Sequence, residues 1–162
     1  MARFLVEGGY PLSGRITPQG NKNEALPILA ALVLTPHKVI LRNLPFILDV
    51  FNMIDILKSL GVDVEKIGNR DYSFQAKEIS SLEMDTTLAR QLRGSFTLVA
   101  PLLNRCRSVT FPKPGGDKIG RRRIDTHLLA LESLGAKIEV DHDSYQFSCE
   151  GPLVGADILL DE

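Results

Sequence analysis

The chain is poor in the residue types on which several kinds of functional site depend. Its 162 residues contain no Trp, and aromatic side chains make up only 6% of the sequence. That argues against a surface on which nucleic-acid bases stack. The two cysteines, Cys106 and Cys149, lie far apart and lack the spacing of a zinc site or a redox pair, so we interpret both as reduced, buried thiols.

Long hydrophobic runs and an excess of charge are also missing. The longest apolar run, from Ala25 to Leu34, is far too short to span a membrane, and the first seven residues are too few and too charged for a signal peptide. The 19 basic and 20 acidic side chains nearly balance, which argues against a partner that is a nucleic acid or a membrane. We therefore expect a soluble, cytoplasmic protein of the α/β class with its own core.

An internal duplication supports this fold class. Residues 57–65 align with residues 131–139, and in both stretches a helix ends at a glycine that precedes a predicted strand hairpin. Each unit is predicted as β-α-β-α-β-β over about seventy residues. A third copy begins at residues 155–160, which match residues 14–19, and it stops after one strand.

Periodicity and capping residues predict the element boundaries. The first unit is expected to begin with strands over residues 3–7 and 13–19, followed by a helix over residues 24–34 with Asn23 as its N-cap. In the second unit, a single helix is expected over residues 86–103, with Arg93 inside it.

The loop at residues 112–127 carries the strongest functional signal. Two prolines and three glycines exclude a regular element from its first half, and one isolated carboxylate, Asp117, lies among the cations Lys113, Lys118, Arg121, Arg122 and Arg123. The segment that contains the loop is four residues longer than its counterpart in the first unit. Because loops accept insertions at little cost, the added length indicates an acquired function, whereas the alternative is a solvated charged turn.

Three cationic elements lie on or beside predicted helices: Lys22 beside Asn23 and Arg122 near helix starts, and Arg93 inside the helix over residues 86–103. Helix N-termini and exposed Lys or Arg side chains suit phosphates and carboxylates, so the pattern predicts binding of a small polyanion. Two alternatives stay open. Arg93 is equally compatible with a partly buried structural ion pair, and the run of three arginines with a nucleic-acid or regulatory binding module.

Three motifs together resemble the enolpyruvyl transferases: residues 20–30 (GNKNEALPILA), residues 90–95 (RQLRGS) and residues 114–127 (PGGDKIGRRRIDTH). They follow the family order with nearly constant spacing along the whole chain. The match is closer to the branch that acts on UDP-N-acetylglucosamine than to the branch that acts on shikimate 3-phosphate, which usually has Ser-Lys-Ser where this chain has Asn21, Lys22 and Asn23.

The resemblance implies a fold and a domain division. The fold is the inside-out α/β barrel of repeated β-α-β-α-β-β units. Residues 1–21 would be strands that belong to the second domain, residues 22–154 two tandem units of one domain, and residues 155–162 the start of a truncated third unit. Because relatives are more than twice as long, we expect this chain alone to be inactive and to self-associate through the edge of its third unit.

The resemblance also implies an activity. The enolpyruvyl group would be transferred from phosphoenolpyruvate to the 3′-hydroxyl of UDP-N-acetylglucosamine in peptidoglycan synthesis, by addition and elimination through a tetrahedral ketal. No metal and no organic cofactor is implied. The alternative within the family is another acceptor, such as shikimate 3-phosphate.

The matching motifs assign expected roles to individual residues. Lys22 would hold phosphoenolpyruvate, Asn23 would contact the sugar nucleotide, Arg93 would face the substrate phosphates, and Arg122 would reach both substrates. The uridine would lie against residues 123–126, namely Arg123, Ile124, Asp125 and Thr126. Asp117 occupies the position of the loop cysteine that most members use as proton donor and that fosfomycin alkylates.

The chain departs from the family pattern at two places. Asp117 replaces the usual cysteine, which removes the soft nucleophile from the loop. The run of Arg121, Arg122 and Arg123 before Ile124 replaces an arginine followed by proline and valine, so the expected uridine wall differs.

Overall fold

The structure of the chain, a computed structural model, describes residues 3–113 and 124–160. The first unit contains α1 (Lys22–Ala31), a 3-10 helix (Leu32–Leu34), β1 (Val39–Leu41), α2 (Leu48–Ser59), β2 (Asp63–Lys66) and β3 (Tyr72–Gln75). The second unit contains α3 (Thr86–Gln91), a 3-10 helix (Arg93–Leu98), α4 (Val99–Cys106), β4 (Ser108–Pro112), α5 (Asp125–Ser133), β5 (Lys137–Val140) and β6 (Ser144–Ser148).

Each unit forms one three-stranded antiparallel sheet, and the two sheets have the same topology. Their strand orders are β1-β3-β2 and β4-β6-β5, so the strand before the hairpin pairs with the second hairpin strand in both units. The registers also correspond, because Val39 pairs with Phe74 in the first sheet and Val109 pairs with Phe147 in the second. The described parts of the two units therefore repeat one arrangement of three strands.

The hydrophobic core runs without interruption from one unit to the other and lies between the sheets and the helices. Its largest fully buried side chains include Phe74, Phe111 and Phe147, which project from the inner faces of the two sheets. The predicted face of α2 is confirmed, since Val50, Met53, Ile54, Leu57 and Leu60 are all buried. In β2 and β5, only Val64 and Ile138 are half-buried, and the other residues of the two strands are exposed.

Glycine ends α2 and α5 as the sequence predicts. Gly61 has φ of +93° and Gly135 has φ of +98°, the left-handed conformation that follows a helix C-terminus. At Gly61 the surroundings add a steric requirement, because a Cβ atom there would lie 2.4 Å from Oγ of Ser80. A larger residue would therefore displace the segment that leads from the first unit to the second.

Two predicted helix boundaries are wrong. The N-cap of α1 is Asn21 and not Asn23: the Oδ1 atom of Asn21 accepts a hydrogen bond from the backbone N–H of Asn23 at 2.7 Å. The predicted helix over residues 86–103 is broken at Leu92, which has extended φ and ψ of −132° and 101°. The hydroxyl of buried Ser95 donates to the carbonyls of Ala89 and Leu92, so the side chain replaces backbone bonds of a continuous helix.

The strands predicted at residues 3–7, 13–19 and 155–160 are also wrong for this chain. None of these described residues belongs to a strand, and apolar side chains such as Phe4, Ile16 and Leu159 are more than 85% exposed. Alternating sequence patterns form strands only where a neighbouring edge supplies hydrogen-bond partners. That residues 1–21 belong to a second domain, and that the chain self-associates through its third unit, stay predictions.

Arg105 joins the two units through backbone carbonyls. Its guanidinium donates to the carbonyl oxygens of Val33 at 2.8 Å and Lys77 at 2.7 Å, and also to that of Ala76. All three acceptors belong to the first unit, whereas Arg105 lies on α4 of the second. The bonds therefore fix α4 against the end of β3 and the 3-10 helix that follows α1.

We predict that Arg105→Ala lowers the free energy of unfolding of the chain by about 2–3 kcal/mol, because three carbonyls lose a charged donor. Urea denaturation of the chain measures this loss. The matched control is Lys58→Ala, which removes an exposed ion pair with Asp55 and is expected to cost less than about 1 kcal/mol. Equal urea midpoints for the two variants would contradict the proposed role of Arg105.

Candidate functional site

A cavity of about 370 Å³ lies where the helices of the two units meet. Its size is within the range of pockets that bind small molecules. The lining side chains come from both units: Lys22, Asn23, Leu26, Asp49, Gln91, Leu92, Arg93, Gly94, Phe96, Thr97, Ile124 and His127. The cavity therefore exists only because the duplicated units pack against each other.

The lining residues are concentrated at the starts of helical elements. Lys22 and Asn23 begin α1, Asp49 lies in the first turn of α2, Arg93 begins a 3-10 helix, and His127 lies in the first turn of α5. The first backbone N–H groups of a helix have no partner within it, and the helix dipole gives this end a partial positive charge. Their convergence, together with two cationic side chains, makes the cavity suited to anions.

Lys22 occupies a position that helix stability does not explain. It is the first residue of α1, where the dipole disfavours a cation. Its Nζ atom donates a hydrogen bond to Oδ2 of Asp49 at 2.8 Å, and the two side chains are 42% and 33% exposed. The charge of Lys22 is thus held at the cavity wall by a carboxylate from the neighbouring helix.

Close packing of α1 against the 3-10 helix brings Lys22 and Arg93 to the same cavity. Gly94 permits this approach, because a Cβ atom there would lie 3.0 Å from Cδ1 of Leu26. Leu26 and Phe96, which also line the cavity, are buried. Arg93 itself is half-buried and makes interactions of its own.

Phe96 and His127 add aromatic rings to the lining of the cavity. Phe96 packs edge-on against Phe111 and Phe147 at ring-centroid distances of 5.4 Å and 6.0 Å, which anchors it to the second sheet. The ring of His127 stacks on Phe96 at 5.7 Å and links α5 to the cavity. The cavity is therefore lined by both charged and aromatic side chains, which suit a ligand with anionic and ring-shaped parts.

The structure brings four of the predicted site residues together: Lys22, Asn23, Arg93 and Ile124 line the cavity. Asp125 and Thr126 lie in the first turn of α5, next to the cavity but not among its lining residues. The remaining predicted residues, Asp117, Arg122 and Arg123, lie outside the described residues. The roles assigned to all of them stay predictions.

The sequence prediction missed Asp49 and Phe96. An acidic residue in the first turn of a helix is common because it complements the dipole, so nothing in the sequence marks Asp49 as a partner of Lys22. Phe96 was expected as one apolar residue of a continuous helix. In the structure, Phe96 lies in the 3-10 helix that follows the break at Leu92, and its ring contacts Phe111 of the second sheet.

A sequence model of one protein family matches almost the entire chain. The family is described as EPSP synthase (3-phosphoshikimate 1-carboxyvinyltransferase), and its model covers residues 6–161. The chain belongs to this family of enolpyruvyl transferases.

Two curated relatives are similar to the chain along almost its whole length. A protein of Bradyrhizobium diazoefficiens is 47% identical over 160 residues, and one of Treponema pallidum is 46% identical over 162 residues. Both are named UDP-N-acetylglucosamine 1-carboxyvinyltransferase. The matches cover 99% and 100% of this chain but 37% and 38% of the relatives, so the chain spans little more than a third of their length.

Solved structures confirm the fold. The enolpyruvyl transferase NikO from Streptomyces tendae superposes on 88% of this chain and 31% of its own with a TM-score of 0.74 at 20% identity. EPSP synthase from Acinetobacter baumannii covers 86% of this chain and 33% of its own with a TM-score of 0.64 at 14% identity. At these identities the likeness establishes the α/β fold of enolpyruvyl transferases, as the sequence predicted.

Residues 3–113 and 124–160 contain no group of three or more His, Cys, Asp or Glu side chains arranged to hold a metal ion. No helix in this part of the chain is both long enough and apolar enough to cross a membrane.

Proposed function

We propose that a full-length protein containing this chain transfers the enolpyruvyl group of phosphoenolpyruvate to the 3′-hydroxyl of UDP-N-acetylglucosamine, releasing phosphate, in peptidoglycan synthesis. The relatives that match along the chain at 40–47% identity support this acceptor by their names. The observation that carries the proposal is the cavity in which Lys22 and Arg93 meet at converging helix starts.

Lys22 and Arg93 supply the positive charge that this chemistry needs. Phosphoenolpyruvate carries a phosphate and a carboxylate, and the acceptor carries a diphosphate. Charge-assisted hydrogen bonds from ammonium and guanidinium groups bind such anions strongly in a partly desolvated site. We assign phosphoenolpyruvate to Lys22, the substrate phosphates to Arg93 and the sugar nucleotide to Asn23, whose backbone follows the N-cap of α1.

Further contacts are proposed for residues 122–126. Arg122 would reach both substrates, while Arg123, Ile124, Asp125 and Thr126 would bind the uridine. The position of Ile124 in the cavity wall and of Asp125 at the start of α5 supports this assignment. His127, which follows this segment in α5, stacks on Phe96 in the lining of the cavity.

In the proposed mechanism, Asp117 donates a proton to the methylene carbon of phosphoenolpyruvate. The neighbouring carbon becomes oxocarbenium-like and is attacked by the sugar 3′-hydroxyl, which passes its proton to a base supplied by the rest of the full-length protein and forms a tetrahedral ketal. Elimination of phosphate and of a proton from the methyl group restores the carbon–carbon double bond. Lys22, Arg93 and Arg122 offset the negative charge throughout, so the reaction needs neither a metal nor an organic cofactor.

We also propose a cytoplasmic location. Cys106 and Cys149 are both free thiols in the structure, a state typical of a reducing compartment. Burial raises the pKa of the Cys106 thiol, and the nearby Arg105 only partly offsets this, so the thiol stays protonated and unreactive near neutral pH.

The acceptor is tested by ligand-dependent thermal stability of the full-length protein. Binding at 100 times the dissociation constant stabilises a protein by about 2.7 kcal/mol, which gives a readily measured rise in melting temperature. We expect UDP-N-acetylglucosamine to produce this rise and shikimate 3-phosphate to produce none. The reverse result would assign the other acceptor, and no rise with either compound would contradict the proposed function.

A further inference from the structure

The ion pair between Lys22 and Asp49 joins the start of α1 to the start of α2 at the cavity wall. The 2.8 Å distance between Nζ of Lys22 and Oδ2 of Asp49 is that of a charge-assisted hydrogen bond. Both residues line the cavity, and both side chains are partly exposed to it. A carboxylate thus lies inside a site whose other charges favour anions.

The two partners differ in how much they depend on each other. Asp49 lies in the first turn of α2, where the helix dipole stabilises a carboxylate, and the N-cap residue Ile47 makes no side-chain hydrogen bond there. Lys22 lies at the first position of α1, where the dipole of that helix opposes its charge. Asp49 is therefore stable without Lys22, whereas Lys22 relies on Asp49 for its place.

We propose that Asp49 is a positioning residue for Lys22. An ammonium group has three N–H donors, and Asp49 takes one of them. The lysine chain has four rotatable bonds and would otherwise sample many directions. With one donor fixed on α2, the other two remain at the cavity for a phosphate or carboxylate of the substrate.

This inference rests on the proposed function, because it concerns how Lys22 binds phosphoenolpyruvate. It differs from a purely structural role for the pair. A partly exposed ion pair contributes little to stability, so its loss is expected to lower the melting temperature of the protein only slightly. The effect is expected in substrate binding and turnover instead.

The first test compares Asp49→Ala, Asp49→Asn and Asp49→Glu in the full-length protein by steady-state kinetics. Asp49→Ala is expected to lower kcat/KM for phosphoenolpyruvate about tenfold. Asp49→Asn keeps an acceptor oxygen, and Asp49→Glu keeps both oxygen and charge, so each is expected to recover part of the loss. The matched control is Asp55→Ala on the same helix, which loses only an exposed pair with Lys58 and should behave as wild type.

The second test asks whether Asp49 acts through Lys22. The dissociation constant of phosphoenolpyruvate is measured for wild type, Asp49→Ala, Lys22→Ala and the double variant. We expect the double variant to bind no more weakly than Lys22→Ala, since Asp49 then has no lysine to position. Independent losses that multiply, or wild-type kinetics for Asp49→Ala, would overturn the positioning role.

A failure of the proposed function would give results different from a failure of the positioning role alone. If the wild-type protein itself shows no saturable binding of phosphoenolpyruvate, the substrate assignment is wrong and the role of Asp49 falls with it. If wild type binds phosphoenolpyruvate and Lys22→Ala binds it weakly, the substrate assignment holds. The behaviour of the Asp49 variants then decides the positioning role alone.

Discussion

Replacing Lys22 with Ala in the full-length protein is expected to lower kcat/KM for phosphoenolpyruvate by about 10²–10³-fold, the usual cost of removing one preorganised charge donor from an active site. Lys22 is half-buried in the cavity wall and begins a helix whose dipole disfavours its charge, so substrate binding is the best explanation for its presence. Steady-state release of phosphate at varied phosphoenolpyruvate concentration measures the loss.

Two further variants make the Lys22 experiment specific. Lys22→Arg keeps the positive charge and is expected to retain more activity than Lys22→Ala. Lys38→Ala removes an exposed lysine that pairs with Glu65 at 3.6 Å, away from the cavity, and is expected to behave as wild type. Comparable losses for Lys22→Ala and Lys38→Ala would mean that activity depends on the net charge of the protein and not on a binding site at Lys22.

The second large effect is expected at Asp117. Asp117→Ala should reduce turnover by about 10²–10⁴-fold, the usual contribution of a general acid, while sugar-nucleotide binding persists. Asp117→Cys should restore sensitivity to fosfomycin, because a thiolate attacks an epoxide far more readily than a carboxylate does. The wild-type protein is therefore expected to resist fosfomycin. On the alkaline side of its optimum, its activity should fall at a lower pH than that of a cysteine-bearing relative, because a carboxyl group ordinarily has a lower pKa than a thiol.

A thiol introduced at another position of the chain is the control for Asp117→Cys. Asp157→Cys places a thiol on an exposed segment and is expected to leave the protein resistant to fosfomycin. The native thiols provide a second comparison, since Cys149 is buried and burial raises the pKa of Cys106. Normal turnover of Asp117→Ala, or full resistance of Asp117→Cys, would exclude Asp117 as the proton donor.

The parts of the fold that depend on local patterns could be predicted from the sequence. The apolar face of α2, the hairpins and the glycines at positions 61 and 135 follow from periodicity and from the backbone conformation that ends a helix. The duplication extended these predictions from one unit to the other. The equal registers of the two sheets confirm that strand pairings predicted in one unit hold in the other.

The errors arose where a side chain or a distant segment decides the backbone. The hydroxyl of Ser95 replaces helical hydrogen bonds at Leu92, an outcome that helix periodicity does not show. Asn21 and Asn23 are equally good capping residues by type, and only the backbone angles of Asn21 distinguish them. Residues 3–7 alternate as a strand does, yet without a partner edge they form none.

Some residues of the candidate site could be predicted from the sequence and others could not. Lys22 and Arg93 stand out as cations on or beside predicted helices, and the structure gathers them with Asn23 at one cavity. Asp49 does not stand out, because an acid in a first helical turn is ordinary, and its partner lies 27 residues away along the chain. Pairings of that kind become visible only once α1 and α2 are packed together.

The most direct test of the central proposal is the stoichiometry of the reaction in the full-length protein. Phosphate release from phosphoenolpyruvate is measured with UDP-N-acetylglucosamine, with shikimate 3-phosphate, and without an acceptor. We predict one phosphate and one enolpyruvyl ether of the sugar nucleotide per turnover, and release only with UDP-N-acetylglucosamine. Phosphate release that is independent of UDP-N-acetylglucosamine, or no release with it, would contradict the proposed function.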